Sequence, residues 1–180
     1  MPETAKPAPA PEADLDPDSP RDVIIAADGW ERAPFADGEA EALAQTAIEA
    51  ACAELALGAD IGLAALLSDD AGVAQLNRDH RGLDGPTNVL SFPAFAPDDL
   101  PDSGHIGDIA VALETVLREA AAAGIPAGHH LAHMLIHGTA HLAGYDHQDD
   151  EEADEMEALE ARALARLGIP NPYLDGTFEQ

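Results

Sequence analysis

Three histidines and a glycine in the last third of the chain have the spacing of a metal site. The stretch 137–147 reads His-Gly-Thr-Ala-His-Leu-Ala-Gly-Tyr-Asp-His, so His137 and His141 are four residues apart. On a helix, this spacing puts both imidazole rings on one face, one turn apart. Gly144 can adopt a positive φ and turn the chain back, which would bring His147 to the same point. We therefore predict that His137, His141 and His147 bind one zinc ion, with a fourth position open to water.

The composition favours an open, catalytic type of metal site. The chain has a single cysteine, Cys52, and none near the histidines, which excludes a closed, cysteine-rich zinc site. One cysteine allows no intrachain disulfide, which is consistent with a cytoplasmic protein. No apolar run is long enough to cross a membrane, the best being 61–67, and no secretory signal pattern opens the sequence. We expect a cytoplasmic location and no membrane partner.

The spacing of the histidines also occurs in metzincin proteases, where the residue after the first histidine is a glutamate that acts as general base. Here that residue is Gly138, so the spacing alone does not indicate a protease. A bound metal could still lower the pKa of a water molecule to about 7. His133 lies one turn before His137 and is a second candidate ligand by spacing. We expect His133 to pack behind the site or support a ligand instead.

The net charge limits how the protein can bind nucleic acid. The chain has 35 acidic and 8 basic residues, for a net charge of −27 at pH 7. Broad electrostatic binding to nucleic acid needs many contacts from lysine or arginine to phosphates, and this composition disfavours it. A polyanion would have to be held locally, by the metal and a few arginines.

The elements that must position these residues follow the order β-α-β-α-β-β-α-α-α. Apolar runs predict strands at 22–27, 61–67, 88–92 and 106–113. Helical periodicity and capping residues predict helices at 38–57, 71–79, 114–123, 127–143 and 149–167. Strands cluster early and helices late, which predicts an α+β fold with helices covering the sheet. The helix that carries the histidines has no other ionisable residue, so we expect it to be buried.

The domain organisation is simple. Residues 1–20 consist mostly of proline, alanine, aspartate and glutamate, and we predict a disordered N-terminal tail there. Residues 21–180 have the length and apolar content of a single domain.

Two further blocks of sequence accompany the histidine stretch. Residues 76–81 read Leu-Asn-Arg-Asp-His-Arg, and residues 86–93 read Pro-Thr-Asn-Val-Leu-Ser-Phe-Pro. The triplet 107–109 reads Gly-Asp-Ile. Together with 137–147, these blocks resemble the motifs L-N-x-x-x-R, P-T-[DN]-V-L-S-F-P, G-D-I and H-G-x-L-H-L-x-G-Y-D-H of the YbeY family. The blocks occur in the family's order and cover about residues 66–147; Ala140 stands where the family usually has leucine.

The resemblance implies a fold and a function. The implied fold is α+β, with a small mixed sheet of four strands and a central helix that carries two zinc ligands. The implied function is that of a metal-dependent hydrolase, a single-strand-specific endoribonuclease of ribosomal RNA maturation and ribosome quality control. Its partners would be ribosomal RNA and the ribosome or its proteins, and no DNA is expected. Whether zinc-activated water or the 2′-OH of the substrate attacks the phosphorus is left open.

The resemblance also implies roles for individual residues. It makes Arg81 the functional arginine beside the metal, where a guanidinium can donate to a phosphodiester and neutralise growing negative charge. The alternative is that Arg81 pairs with Asp79 or Asp84 and braces its loop. Asp108 and Asp146 could each orient a ligand histidine or accept a proton. For Asp146 we expect a capping or supporting role rather than that of the base.

Two other functions remain open at this point. One is a ribosome-associated assembly factor with a structural metal, whose acidic surface would face basic ribosomal proteins. The other is a metallohydrolase that acts on a different substrate, such as a peptide, against which Gly138 argues.

Overall fold

A computed structural model describes residues 20–174, so the predicted tail lies, apart from Pro20, outside the described residues. The described part contains a sheet of strands β1 (Arg21–Ile25), β2 (Ile61–Ser68), β3 (Val89–Pro93) and β4 (Gly104–Ala112). Its helices are α1 (Glu39–Glu54), α2 (Asp70–Arg81), α3 (Leu113–Ala123), α4 (Ala127–Leu142) and α5 (Asp150–Arg166). Short 3₁₀ helices lie at Asp28–Glu31 and Pro97–Asp99. The predicted order of strands and helices is confirmed.

The sheet is mixed, with the strand order β1-β2-β4-β3. Strands β1 and β4 both lie parallel to β2, whereas β3 is antiparallel to β4. The connection between β1 and β2 contains α1 and is long enough to return the chain for parallel pairing. The connection between β3 and β4 carries only a 3₁₀ turn, so the chain reverses direction between these two strands. The α+β fold with a small mixed sheet is therefore confirmed.

Helices cover both faces of this sheet. Alternate residues of the central strands face the main core, which is shared with α1, α4 and α5: Leu63, Ala65, Leu67, Ile109 and Val111. On the other face, Val73 of α2 packs against Leu90, Ala110 and Ala112. Helix α4 lies in the interior, with twelve of its sixteen residues buried, as its lack of charge predicted. Ala140 packs against Met156 and Leu159 of α5, so the smaller residue there is accommodated by the neighbouring helix.

Helix α2 is longer than predicted and ends at Arg81 instead of residue 79. Asp69 caps its N-terminus by accepting a hydrogen bond from the backbone N of Gly72 at 2.8 Å. Gly82 ends it with φ of 66°, and its backbone N donates to the carbonyl of Arg78. Arg81 therefore projects from the last turn of a capped helix and not from the following loop.

None of the helices within residues 20–174 is long and apolar enough to cross a membrane.

Candidate metal centre

Helix α4 and the loop after it bring His137, His141 and His147 together. The Nε2 atoms of His137 and His141 are 3.0 Å apart. The ring of His147 lies with its centroid 5.5 Å from that of His137 and 5.1 Å from that of His141. One nitrogen from each of the three rings falls within 4.8 Å of the other two. Three imidazole nitrogens this close form a donor set suited to a transition-metal ion.

The tight turn after α4 is what brings the third histidine into place. Gly144 has φ of 92°, which is strained for a residue with a side chain. The turn is closed by the backbone N of Tyr145, which donates to the carbonyl of Ala140 at 3.0 Å. A Cβ on Gly144 would lie 3.0 Å from Pro97, so the adjacent loop also leaves little room there.

Hydrogen bonds to the far side of two rings leave their Nε2 atoms free to ligate. His137 donates from Nδ1 to Oε1 of Glu160 at 2.6 Å, and His141 donates from Nδ1 to the carbonyl of Tyr145 at 2.9 Å. Because a carboxylate and a carbonyl only accept hydrogen bonds, each Nδ1 carries a proton, and in the neutral form of each ring the lone pair is then on Nε2. The lone pairs of two nitrogen atoms 3.0 Å apart repel each other unless a proton or a cation lies between them. The arrangement therefore fits a metal ion.

The electrostatics keep His141 uncharged. Burial, followed by the nearby imidazole of His137, lowers the pKa of His141 to about 4. At neutral pH the ring is therefore neutral, which is the form that binds metals.

The three histidines face an open cleft of about 510 Å³. Besides the histidines, its lining includes Arg81, Asn88, Ser91, Tyr145 and Asp146. Arg81 is exposed, and it is the only lysine or arginine among the described residues of the lining. A ligand in this cleft would meet the imidazole cluster and one guanidinium together.

The alternative role for Arg81 was an ion pair with Asp79 or Asp84 that would brace the loop. In the structure, Arg78 and not Arg81 pairs with Asp84. Nε of Arg78 lies 3.4 Å from Oδ1 of Asp84. The carboxylate of Asp79 accepts hydrogen bonds from Gln75 at 2.8 and 2.9 Å. Within residues 20–174, Arg81 has neither an ion pair nor a side-chain hydrogen bond, so its guanidinium is available to a ligand.

The two candidate aspartates occupy different places. Asp146 lines the cleft and accepts hydrogen bonds from the backbone N of His147 at 2.8 Å and from Nε2 of Gln148 at 2.6 Å. The bond from His147 is the main reason that the pKa of Asp146 lies below its usual range. Asp108 lies on β4 outside the cleft lining, and its Oδ1 is 2.9 Å from Nε2 of His105. Asp146 therefore holds the loop that presents His147, while Asp108 bonds to His105, which is not one of the three clustered histidines.

The structure adds one residue that the sequence did not single out, Glu160. Its carboxylate is 1 % exposed and contacts both His137 and His133, the latter at 2.7 Å between Oε2 and Nε2. Burial raises the pKa of Glu160, but the hydrogen bonds from His133 and His137 outweigh burial and bring it to about 2. His133 thus lies behind the site, bonded to a neighbour of a candidate ligand. The sequence does carry one signal that could have pointed to Glu160, because this charged residue interrupts the apolar stripe of α5. The stripe is formed by Met156, Leu159, Ala163 and Leu164.

Close packing explains why Gly138 lacks a side chain. A Cβ on this residue would lie 2.9 Å from Cγ2 of Ile109 on β4. Its carbonyl also accepts a hydrogen bond from Oγ of Ser91 at 3.2 Å. The position that carries glutamate in metzincins is therefore filled by the sheet in this fold, which leaves no room for that base.

Gly138→Ala is expected to lower the free energy of unfolding by about 1–3 kcal/mol, since the added methyl group must displace Ile109 or shift α4. Urea denaturation of the metal-free protein measures the change. Gly128→Ala on the same helix is the matched control, because its methyl group meets the end of the flexible Leu43 side chain at 3.1 Å and reaches Phe35 only at an ordinary contact distance of 4.0 Å. A Gly138→Ala protein as stable as the native chain would show that α4 does not pack this closely on β4.

The fold and the site together define an α+β protein with a three-histidine centre at the edge of an open cleft. A family model described as endoribonuclease YbeY matches residues 27–168. The chain therefore belongs to the YbeY family, as its motifs predicted.

Curated relatives match over most of their length. The chain is 54 % identical over 158 residues to the endoribonuclease YbeY of Rhodopseudomonas palustris (strain BisA53), covering 86 % of this chain and 90 % of the relative. It is 47 % identical over 159 residues to the endoribonuclease YbeY of Bradyrhizobium diazoefficiens, covering 86 % and 85 %. The solution structure of TM1509 from Thermotoga maritima shares the fold, with a TM-score of 0.55 and 22 % identity, over 82 % of this chain and 91 % of that one.

Proposed function

We propose that the chain is a zinc-dependent, single-strand-specific endoribonuclease that acts in ribosomal RNA maturation and ribosome quality control. The observation that carries the proposal is the cleft, in which the three-histidine centre and the Arg81 guanidinium, which has no ion pair within residues 20–174, face the same space. Relatives about half identical to this chain bear the name endoribonuclease YbeY. Residues 21–180 would form one catalytic domain, preceded by a tail at 1–20.

His137, His141 and His147 would hold one zinc ion per chain through three neutral imidazoles. When bound, zinc would polarise a phosphoryl oxygen or activate a water molecule. Arg81 would donate hydrogen bonds to the non-bridging oxygens of the scissile phosphodiester. Its positive charge would offset the negative charge that grows on these oxygens as the phosphorus becomes pentacoordinate. Asp146 would keep the loop of His147 in place through its two hydrogen bonds.

The charge of the chain supports a local mode of RNA binding. With a net charge of −27 and Arg81 as the one described lysine or arginine of the cleft lining, the protein can neutralise few phosphates. For single strands, the logarithm of the binding constant falls by about 0.7 per neutralised phosphate for each tenfold rise in salt. We expect a plot of the logarithm of the binding constant against that of the salt concentration to have a slope close to that of one phosphate contact. We also expect the ribosome or its proteins to deliver the RNA, in the cytoplasm.

Cleavage of matched substrates tests the proposal. Zinc-loaded protein is incubated with one RNA oligonucleotide as a single strand, with the same RNA annealed to its complement, and with the DNA of the same sequence. We expect cleavage of the single-stranded RNA alone, lost on chelation and restored by zinc. A 2′,3′-cyclic phosphate product would identify the 2′-OH as the nucleophile, whereas solvent oxygen in a 5′-phosphate would identify water. A folded, zinc-loaded protein that cuts none of the three contradicts the proposal.

The acidic surface favours one other candidate, a ribosome-associated assembly factor whose metal is structural. Such a protein would bind basic ribosomal proteins through its charge, and cleavage would be incidental to its role.

A further inference from the structure

One buried carboxylate links a candidate metal ligand to two residues outside the cleft. Oε1 of Glu160 accepts a hydrogen bond from Nδ1 of His137 at 2.6 Å. Oε2 accepts from Nε2 of His133 at 2.7 Å and from the hydroxyl group of Tyr173. The donors come from two turns of α4 and from the segment that follows α5. Both oxygens of the carboxylate are therefore held.

Burying the Glu160 carboxylate costs free energy because the group loses its water, and its hydrogen bonds offset that loss. Glu160 is 1 % exposed, and an ionised group in such a place is tolerated only where hydrogen bonds replace its water. Because the ionised group can only accept, it requires the proton of His137 on Nδ1 and so directs the Nε2 lone pair of that ring toward the cleft. Its negative charge also makes the imidazole a stronger donor to a cation.

Tyr173 closes the network from a distant part of the chain. Its ring meets that of His133 edge-on, with 5.6 Å between the ring centroids. Its backbone N donates to Oδ1 of Asn171 at 2.9 Å, in the turn that follows α5. The position of the carboxylate thus depends on the docking of this C-terminal turn.

We propose that Glu160, held in place by His133 and Tyr173, is the positioning residue that sets how tightly the three-histidine centre binds its metal. The proposal rests on the metal site of the proposed function but not on RNA cleavage. It assigns to three residues outside the cleft lining an effect on the metal site, which Glu160 contacts through His137.

Zinc affinity of a charge-neutral variant tests the proposal. Glu160→Gln keeps the size of the side chain and removes its charge, and we expect the dissociation constant for zinc to rise about 10–100-fold. The measurement is competition between the protein, zinc chloride and a chromophoric chelator. Tyr173→Phe removes one hydrogen bond to the carboxylate and is expected to weaken zinc binding in the same direction, by less than Glu160→Gln does.

Glu119→Gln is the matched control. Glu119 holds another histidine of the same helix, with 2.6 Å between its Oε2 and Nε2 of His130, and His130 is not part of the cluster. Both glutamine variants are expected to lower the melting temperature of the metal-free protein, because both weaken a hydrogen bond to a buried histidine. Only Glu160→Gln should change the affinity for zinc.

A second readout reports on the ring itself. Nitrogen-15 spectra of the metal-free native protein should show the proton of His137 on Nδ1, and Glu160→Gln should give a mixture of the two tautomers. A folded Glu160→Gln protein with native zinc affinity would overturn the proposal, as would an equal loss in Glu119→Gln. If Glu160→Gln does not fold, Tyr173→Phe decides, and native zinc affinity in that variant overturns the proposal. Zinc binding without RNA cleavage by the native chain would contradict the proposed function and leave this inference intact.

Discussion

Replacement of Arg81 by alanine is expected to lower kcat/KM for single-stranded RNA about 100- to 1000-fold while the bound zinc stays at the native level. This is the range observed when one preorganised donor to a developing oxyanion is removed. Arg81 fits this role because it lines the cleft with the three histidines and has no ion pair within residues 20–174. Initial cleavage rates and metal analysis of the same preparation measure the two quantities.

The neighbouring arginine on the same helix provides a matched control. Arg78 lies one turn earlier, is exposed and pairs with Asp84, and it does not line the cleft. Arg78→Ala should cleave at the native rate. Arg81→Lys should recover part of the lost activity, since an ammonium supplies charge but not the paired donors of a guanidinium. If Arg78→Ala and Arg81→Ala lose activity equally, the effect comes from general charge and not from a contact to the phosphate.

His141→Ala is expected to weaken zinc binding on the order of 100-fold and to abolish cleavage at limiting zinc. Structural zinc sites bind with about 10–16 kcal/mol, so that one of four ligands accounts for about 3 kcal/mol, or about 100-fold. Chelator competition measures the affinity. His129→Ala is the control, because His129 lies on the same helix and outside the cluster, and it should bind zinc like the native protein.

The same variant separates the two candidate functions. If the protein is an endoribonuclease, cells that carry His141→Ala in place of the native chain should accumulate unprocessed ribosomal RNA. A folded His141→Ala protein that cleaves no RNA yet supports normal ribosome maturation would instead identify an assembly factor. Native levels of the variant protein in the cells are the necessary check, since loss of the protein would produce the same defect.

Much of the site was predictable because it is local in the chain. His137 and His141 lie one helical turn apart, and Gly144 permits the turn that returns His147, so three residues within eleven positions meet with little help from the rest of the fold. The α+β class followed from the order of the elements, and the burial of α4 followed from its lack of charge. Such features depend on backbone geometry and periodicity, which the sequence carries directly.

What only the tertiary structure decided involves contacts between distant segments. Gly138 stands where metzincins have a general base, and the packing of α4 on Ile109 shows why no side chain fits there. Helix α2 continues two residues past its predicted end, which puts Arg81 on a capped helix end, and Arg78 forms the ion pair with Asp84 that the sequence also allows for Arg81.

Glu160 shows most clearly what the sequence alone cannot determine. By itself, the sequence determined which residues have the types and spacing of a metal site, because ligand spacing on a helix is a local property. It did not determine which carboxylate would stand behind His137, since Glu160 is 23 residues away and is one of many acidic residues in the chain. Only the packing of α5 on α4 selects it, because burial makes this carboxylate depend on hydrogen bonds that the solvated ones do not need.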